Sequence, residues 1–204
     1  MRMNHLKLET RVGTFCIQWD ASGRIIGSGL FHNLAAQLPE WKRIGHWTSL
    51  TRNRPTAALT KIFTEVQNYF QMGQPITALK WRLLDINLLT EFQKKVYTAV
   101  QLIPHGETRP YSWIAEKTGQ RKATRAVGQA LRKNPFPVLV PCHRVVSASG
   151  LGGFLGDDNP DSPELNMKQS LLELENSYRC PLFPFLLTEH DRGSNTLRNG
   201  TNQY

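Results

Sequence analysis

Cysteine is scarce in this chain of 204 residues, and its three copies are far apart. Cys16, Cys142 and Cys180 show neither a disulfide framework nor a zinc-ligand spacing, which favours a reducing cytosol. The first nine residues are polar, so we expect no signal peptide, and no apolar run approaches the length of a membrane span. These absences predict a cytoplasmic protein with no membrane partner.

Acidic side chains are outnumbered, with 16 Asp and Glu against 25 Lys and Arg, so the net charge is +9 and the isoelectric point is near 9.7. Such a balance indicates an anionic partner, for which nucleic acid is the first candidate. The alternative is a basic protein that its charge merely keeps soluble, and charge alone does not decide between the two. The length allows one or two small domains with a real core.

The start of the chain predicts a small antiparallel sheet. Patchy alternation of apolar residues over 5–19 and a second run at 24–31 indicate a β-hairpin, with Cys16 in its core. Residues 34–54 are mixed in character and contain two tryptophans among basic residues. We interpret that stretch as loop and short irregular pieces.

One helix is clear in this half. Apolar residues at helical spacing over 56–72, ended by Gly73, predict a helix that covers the sheet with an aromatic stripe. A connector follows at 74–87, and we place the domain boundary within it. The predicted units are an N-terminal domain 1–86, a C-terminal domain 87–188 and a loose polar tail 189–204.

The second half predicts three helices before residue 136. Thr90 and Gln93 form a capping-box pattern for the first, which a proline ends. Ser112 is predicted to cap a short helix over 113–118, and a basic helix over 122–133 follows a turn containing Gly. Such a pair is a helix-turn-helix, which is typical of DNA-binding proteins. The second helix also carries small residues, which either let it approach a surface closely or pack on a neighbouring helix.

A cysteine beside a histidine follows these helices. The apolar run 136–140 predicts one short buried strand, so Cys142 and His143 lie at the end of a rigid segment. Cysteine reacts as the thiolate, which a neighbouring base or cation favours. Alternatively, Cys142 packs as a small hydrophobic residue, because adjacent side chains on a strand face opposite sides. The Gly-rich loop 147–156 has no following Lys-Ser/Thr, which excludes a P-loop, and Ser162 begins a further helix.

The sequence around this pair resembles a known family. The matching segments are FQKKVY at 92–97, IPHGET at 103–108, Tyr111, RAVGQA at 125–130, Asn134-Pro135 and PCHRV at 141–145. In order and spacing they resemble the catalytic domain of the O6-alkylguanine-DNA alkyltransferases, the methylated-DNA–protein-cysteine methyltransferases. The resemblance implies an α+β protein of two domains. A small N-terminal antiparallel sheet domain with a layout similar to ribonuclease H would precede a mostly helical C-terminal domain that contains the helix-turn-helix.

The resemblance also implies a reaction and a partner. A monomer would bind double-stranded DNA through the minor groove, in the cytoplasm with the nucleoid or in a nucleus. Cys142 would take the alkyl group of O6-alkylguanine, and of O4-alkylthymine, after the base rotates out of the duplex. The thioether product is not hydrolysed and no second cysteine is placed to resolve it, so each molecule would act once. No cofactor motif is present, and we expect no metal site among the scattered ligand types Cys16, His5, His32 and His46.

The family's roles carry over to individual positions of this chain. Cys142 corresponds to the nucleophile, activated through a water molecule, His143 and Glu175. Tyr111 corresponds to the residue that helps to rotate the nucleotide and gives a proton or hydrogen bond to the departing guanine, and Asn134 to the residue that braces the turn. Arg125 corresponds to the intercalating finger, and Ala126 and Gly128 to the residues that allow close approach to DNA. Val145 through its carbonyl and Gly156 through its N–H correspond to base contacts. Lys168 is a further match to the family pattern. Without the resemblance, Arg125 would be interpreted as a phosphate contact or a surface charge.

The chain departs from the family pattern in the loop that should close over the base. Residues 155–160 replace the usual Gly-Gly segment, and several extra residues precede Lys168, so we expect an altered choice of alkyl group or slower binding to DNA. Other functions remain open: an alkyltransferase-like protein that flips and flags damaged bases, a transcriptional activator that senses alkylation, or a thiol hydrolase. The presence of Cys142 argues against the first, and Cys16 alone cannot supply the metal module of the second. The third needs an acyl intermediate that water cleaves.

Overall fold

The computed structural model describes residues 4–32 and 55–179. The predicted irregular stretch at 34–54 and the predicted polar tail 189–204 lie outside the described residues, as do His46 and Cys180. Within the described part, buried apolar side chains from the sheet and from every α-helix form one continuous cluster. The division of the chain into two domains stays a prediction.

Three antiparallel strands form the N-terminal sheet, in the order β1 (Asn4–Glu9), β2 (Thr14–Trp19) and β3 (Ile25–Phe31). The predicted hairpin is therefore wrong in one respect, because residues 5–19 are two strands and not one. A tight turn separates them, in which the backbone N–H of Gly13 donates to the carbonyl of Thr10 over 3.3 Å. Cys16 is buried on β2, as expected.

Helix α1 (Ala57–Met72) covers this sheet. It begins after Thr56, whose hydroxyl accepts from the N–H of Leu59, and it ends at Gly73, which has a φ of 71°. The aromatic stripe packs on the sheet, with Phe70 and Phe15 ring centroids 5.5 Å apart. Beyond Gly73 the connector contains only short 3₁₀ turns, at Trp81–Leu83 and Ile86–Leu88.

Three helices follow the connector. Helix α2 (Glu91–Gln101) has the predicted capping box between Thr90 and Gln93. Helix α3 (Tyr111–Lys117) starts two residues earlier than predicted, so Ser112 lies inside it and is not the cap. Its N-cap is Pro110, which belongs to the two-residue strand β4 (Arg109–Pro110), and helix α4 (Thr124–Arg132) comes next.

The segment before Cys142 is buried, as predicted, but it is not a strand. Residues 136–140 form a turn in which the N–H of Val140 donates to the carbonyl of Phe136 over 2.7 Å, and Val138 has a φ of 71°. A short apolar run cannot distinguish a buried strand from a buried turn. Cys142–Arg144 is a 3₁₀ turn that leads into β5 (Val145–Val146), which pairs in parallel with β4.

The final described helix is α5 (Pro163–Arg179). The hydroxyl of Ser162 accepts from the N–H of Leu165 over 3.2 Å, which confirms the predicted helix start. Helix α5 packs against both α1 and the 3₁₀ turn that contains Cys142, so it joins the two halves of the chain. No helix among the described residues is long and apolar enough to cross a membrane. No group of three or more His, Cys, Asp or Glu in the described ranges could hold a metal ion.

Candidate active site around Cys142

Cys142 lies at the bottom of the site with 6% of its surface exposed. Its sulfur accepts a hydrogen bond from Nδ2 of Asn134 at 3.2 Å, and the same amide group donates to the carbonyl of Val140 at 3.0 Å. The other end of the amide, Oδ1, accepts from the N–H of Phe136 at 2.9 Å. Asn134 thus bonds to both the turn and the sulfur, and its role as a brace stays a prediction.

The thiol needs a base to become nucleophilic at neutral pH. Burial raises the pKa of Cys142, while the hydrogen bond from Asn134 and the charge of Lys168 act in the opposite direction. Because the net shift is upward from 9.0, the protonated thiol is the resting form. A reaction at the sulfur therefore requires a group that accepts its proton.

His143, the next residue in the chain, has a ring nitrogen that is free to accept a proton among the described residues. It is fully buried, and its Nε2 lies 2.7 Å from Oε1 of Glu175. Burial lowers the pKa of His143 below its ordinary value of 6.5, although Glu175 opposes that shift, so the imidazole is neutral at pH 7. With the Nε2 proton donated to Glu175, the other ring nitrogen, Nδ1, is an acceptor; it is buried and has no hydrogen-bond partner within the described residues.

Glu175 is the centre of a buried hydrogen-bond network. Burial alone would raise its pKa, but the imidazole of His143 and the guanidinium of Arg144 outweigh this and hold the pKa far below 4.5. Nε of Arg144 donates to Oε2 at 2.9 Å and Nη2 to Oε1 at 3.0 Å. The backbone N–H of Gly106 donates to Oε2 at 2.9 Å, and the hydroxyl of Tyr69 donates to Oε1 at 2.9 Å.

Sequence reasoning found Glu175 but missed three of its partners. Arg144 lies in a segment that carries the family resemblance, and that position is the signal that could have found it. Gly106 contributes only its backbone N–H, and Nδ1 of His105 beside it lies 3.2 Å from Nη2 of Arg144. Tyr69 belongs to the stripe that predicted core, and nothing in the spacing separates it from its apolar neighbours.

Lys168 fastens the Gly-rich loop to the rest of the site. Its side chain is fully buried, and Nζ donates to the carbonyl oxygens of Val145 at 2.7 Å, Leu151 at 2.5 Å and Gly153 at 3.1 Å. Burial lowers its pKa from 10.5 to about 8, while Cys142 opposes the shift. The predicted site residue is thus present as a clamp on backbone carbonyls, one of which is the carbonyl of Val145.

A cavity of about 400 Å³ opens above Cys142, between α4 and the Gly-rich loop. The ring of Tyr111 forms part of its wall, and the Tyr111 hydroxyl donates to the carbonyl of Gly153 at 3.3 Å. A Cβ atom at Gly152, where φ is +66°, would lie 3.0 Å from that ring, so glycine is required there. The volume lies within the range of small-molecule sites, which is about 300–1,000 Å³.

The two sides of the cavity come from different elements. Helix α4 contributes Gly128 and Gln129, while its buried face, which includes Val127, packs into the core. The small residues of α4 are divided in the same way, because Ala130 is buried and Ala126 is exposed. The exposed cations around this helix are Arg121, Lys122, Arg125, Arg132 and Lys133. Helix α4 and the turn before it therefore present a basic surface, and one of its cations, Arg132, lines the cavity.

The altered loop closes the opposite side. Phe154 and Asp157 exchange backbone hydrogen bonds of 2.8 and 2.9 Å, which makes a tight turn with Leu155 and Gly156 at its tip. Both tip residues have positive φ, 48° and 98°. Leu155, Gly156, Asp157 and Asp158 all line the cavity. The predicted base contact Gly156 is therefore at the cavity, and two carboxylates lie at the same edge.

A buried thiol thus lies beside, in the chain, a histidine whose ring is oriented by a third group, which is the arrangement expected of an activated thiol. Comparisons with known proteins give its family. Residues 91–177 match the family model described as 6-O-methylguanine DNA methyltransferase, DNA binding domain. A methylated-DNA–protein-cysteine methyltransferase of Methanosarcina acetivorans is 48% identical over 89 residues, 43% of this chain and 53% of its own length. One from Saccharolobus islandicus is 38% identical over 124 residues, 60% of this chain and 73% of its own.

Solved structures agree with this grouping. The crystal structure of Mycobacterium tuberculosis OGT in complex with DNA is 30% identical, covers 90% of this chain and 98% of its own, and has a TM-score of 0.60. The chain belongs to the methylated-DNA–protein-cysteine methyltransferase family. It spans about half the length of the Methanosarcina relative, 53%.

Proposed function

We propose that this chain repairs DNA by moving the alkyl group of O6-alkylguanine onto the sulfur of Cys142. The observation that carries the proposal is the position of that sulfur: it lines a cavity beside α4 and rests on Asn134, with the His143–Glu175 pair behind it. The family to which the chain belongs is named for the same transfer. O4-alkylthymine is a second substrate by the same chemistry.

The reaction would begin with loss of the thiol proton. A water molecule passes the proton of Cys142 to Nδ1 of His143, whose Nε2 proton remains on the hydrogen bond to Glu175. The thiolate attacks the alkyl carbon, forming a carbon–sulfur bond as the bond from that carbon to the guanine oxygen breaks. The electron pair stays with the guanine, which receives a hydrogen bond or proton from the Tyr111 hydroxyl, and this step needs no cofactor.

The reaction would consume the protein. A thioether is not cleaved by water, and a second thiol would have to reach it to restore the sulfur. Cys16 is no candidate, because it is buried on β2 and burial raises its pKa to about 12. Within residues 4–32 and 55–179 no second thiol is therefore placed to restore the sulfur, and we expect each molecule to accept one alkyl group.

Access to the base requires that the nucleotide leave the duplex. Tyr111 would help to rotate it, and Arg125, exposed on α4, would fill the space left in the stack. Ala126 and Gly128 would allow α4 to enter the minor groove, where little sequence is read, so α3 and α4 would act as the helix-turn-helix. The DNA complex of the M. tuberculosis relative supports DNA as the partner.

The flipped guanine would meet two backbone groups, of which Gly156 lines the cavity while Val145 is buried and is not among the lining residues. The carbonyl of Val145 would accept from the exocyclic amino group of guanine, using the lone pair that Lys168 leaves, and the N–H of Gly156 would donate to the purine oxygen. We further propose a monomer of two domains, with a ribonuclease H-like layout in the first. The surrounding charge favours a location where DNA is, in the cytoplasm or a nucleus.

The test is the mass of the intact protein after incubation with duplex DNA that contains one O6-methylguanine. We expect a single methyl group per molecule in the parent chain and none in Cys142→Ala. An increase of mass in Cys142→Ala would contradict the proposal. Tight, lesion-dependent binding without any increase in the parent would instead indicate a protein that flips and flags damaged bases.

A further inference from the structure

Tyr69 lies far from the cysteine segment in sequence but joins its proton relay. It is on α1, 74 residues before His143, and only 1% of its surface is exposed. Its hydroxyl donates to Oε1 of Glu175 at 2.9 Å, and its oxygen lies 3.3 Å from Nε2 of His143. The three groups therefore form a closed triangle, since Nε2 and the same Oε1 are 2.7 Å apart.

This triangle determines which ring nitrogen of His143 carries the proton. The Tyr69 hydroxyl donates its only hydrogen to Glu175, so its oxygen offers only lone pairs to Nε2. The carboxylate of Glu175 likewise presents only lone pairs. Nε2 thus faces two acceptors and must be the protonated nitrogen, which leaves Nδ1 as the bare acceptor that the reaction needs.

The Tyr69 hydroxyl also weakens the effect by which Glu175 favours the doubly protonated, positively charged form of the His143 imidazole. A donor bound to Oε1 disperses the negative charge of the oxygen that faces His143, so the imidazolium form gains less from that carboxylate. Burial of Tyr69 and the adjacent Glu175 raise the pKa of the hydroxyl well above 10, so it stays a donor throughout the working pH range.

We propose that Tyr69 is a positioning residue of the transfer reaction, through which the N-terminal helix α1 keeps His143 neutral and protonated on Nε2. This inference rests on the proposed function for its kinetic readout only. The titratable and charged groups that surround His143 are Tyr69 from α1, His105 before β4, Cys142 and Arg144 from its own turn, and Lys168 and Glu175 from α5. Of these, Tyr69 alone both donates to Oε1 as a neutral hydroxyl and contacts Nε2.

The test compares Tyr69→Phe with the parent in single-turnover transfer at saturating methylated duplex, over a range of pH. The variant keeps the ring and removes the hydroxyl. We expect the acid limb of the rate profile to move up by about one pH unit, so that the rate below the limb falls roughly tenfold and the rate on the plateau changes little. Affinity for the duplex should be unchanged.

Tyr97→Phe is the matched control. Tyr97 is also fully buried, and its hydroxyl donates to the carbonyl of Ala130 at 2.7 Å. Its loss should lower thermal stability while the acid limb stays where the parent has it. If Tyr69→Phe behaves in the same way, with lower stability and an unmoved limb, Tyr69 is only a packing residue and the inference is wrong.

A second readout does not depend on transfer. Ring nitrogen chemical shifts of ¹⁵N-labelled histidine report the tautomer and the pKa of His143 in the free protein. We expect the Nε2–H tautomer in the parent and a higher pKa in Tyr69→Phe; an Nδ1–H tautomer in the parent would overturn the inference. If the parent transfers no alkyl group, the proposed function fails, and this spectrum still decides the role of Tyr69.

Discussion

Replacing Lys168 with methionine tests how far one buried ammonium group holds the site together. Three backbone carbonyls, those of Val145, Leu151 and Gly153, share this donor. A hydrogen bond from a charged donor contributes about 1.5–3 kcal/mol, but burying the charge is costly, as the lowered pKa of about 8 indicates. Lys168→Met loses the three hydrogen bonds from Nζ, but it also removes the free-energy cost of burying the ammonium charge. We therefore expect the free energy of unfolding to fall by about 2–4 kcal/mol at pH 7.

The size of this effect should change with pH in a defined direction. The pKa of Lys168 is about 8 in the folded chain against 10.5 when exposed, so between these values the unfolded chain binds more protons. Stability of the parent from this group therefore rises with pH across that window. The difference between parent and Lys168→Met should be flat below pH 8 and grow by about 1.4 kcal/mol per pH unit above it. Groups common to both proteins largely cancel in this difference.

Urea unfolding across that pH range measures the difference directly, and hydrogen exchange of the Gly-rich loop reports where the structure loosens. Lys61→Met is the control, because Lys61 is exposed on α1, and it should change the free energy of unfolding by less than about 0.5 kcal/mol. A Lys168→Met variant with the stability of this control, and with unchanged exchange at residues 147–153, would refute the reasoning.

Three further outcomes follow from the same structure. Asn134→Ala should lower the free energy of unfolding by about 1–3 kcal/mol, because a buried carbonyl loses its donor. It should also slow single-turnover transfer, because the Cys142 thiolate loses a favourable hydrogen bond, and an unchanged rate would count against this. Arg125→Ala should slow transfer to duplex DNA yet shift stability by less than about 0.5 kcal/mol, since the side chain is exposed, and equal transfer rates would contradict its role. Because the pKa of His143 is lowered in the folded chain, stability should fall as pH drops below 6.5. It should fall further below pH 4.5, where Glu175 takes up a proton in the unfolded chain and stays ionised in the folded one. A urea midpoint that stays constant between pH 7 and 5 would exclude the first of these.

Local signals in the sequence were accurate where a residue acts on its own backbone neighbours. The capping box at Thr90 and Gln93, the start of α5 at Ser162 and the end of α1 at Gly73 all lie where the pattern predicted them. Each involves groups within a few residues of one another, so short-range spacing contains the necessary information.

Predictions failed where a short segment has two compatible structures. The run 136–140 is apolar in either a strand or a turn, and the structure has a turn with Val138 at positive φ. The pattern over residues 5–19 predicts one strand because apolar alternation continues on both sides of the turn that ends at Gly13, where the structure has two strands. Ser112 is a good cap by type, but Pro110 precedes a helix that starts earlier.

By itself the sequence determined the kind of protein and most of its chemistry, because the segments around Cys142 and His143 carry a family pattern and α5 places Glu175 and Lys168 on its buried side. Only the tertiary structure decided what holds that chemistry in place. Packing of α5 against α1 brings the Tyr69 hydroxyl to Glu175, a contact between residues 106 positions apart. The helical spacing of apolar residues cannot predict such a contact. A tyrosine that only fills the core and a tyrosine that orients a carboxylate occupy the same positions on a helix.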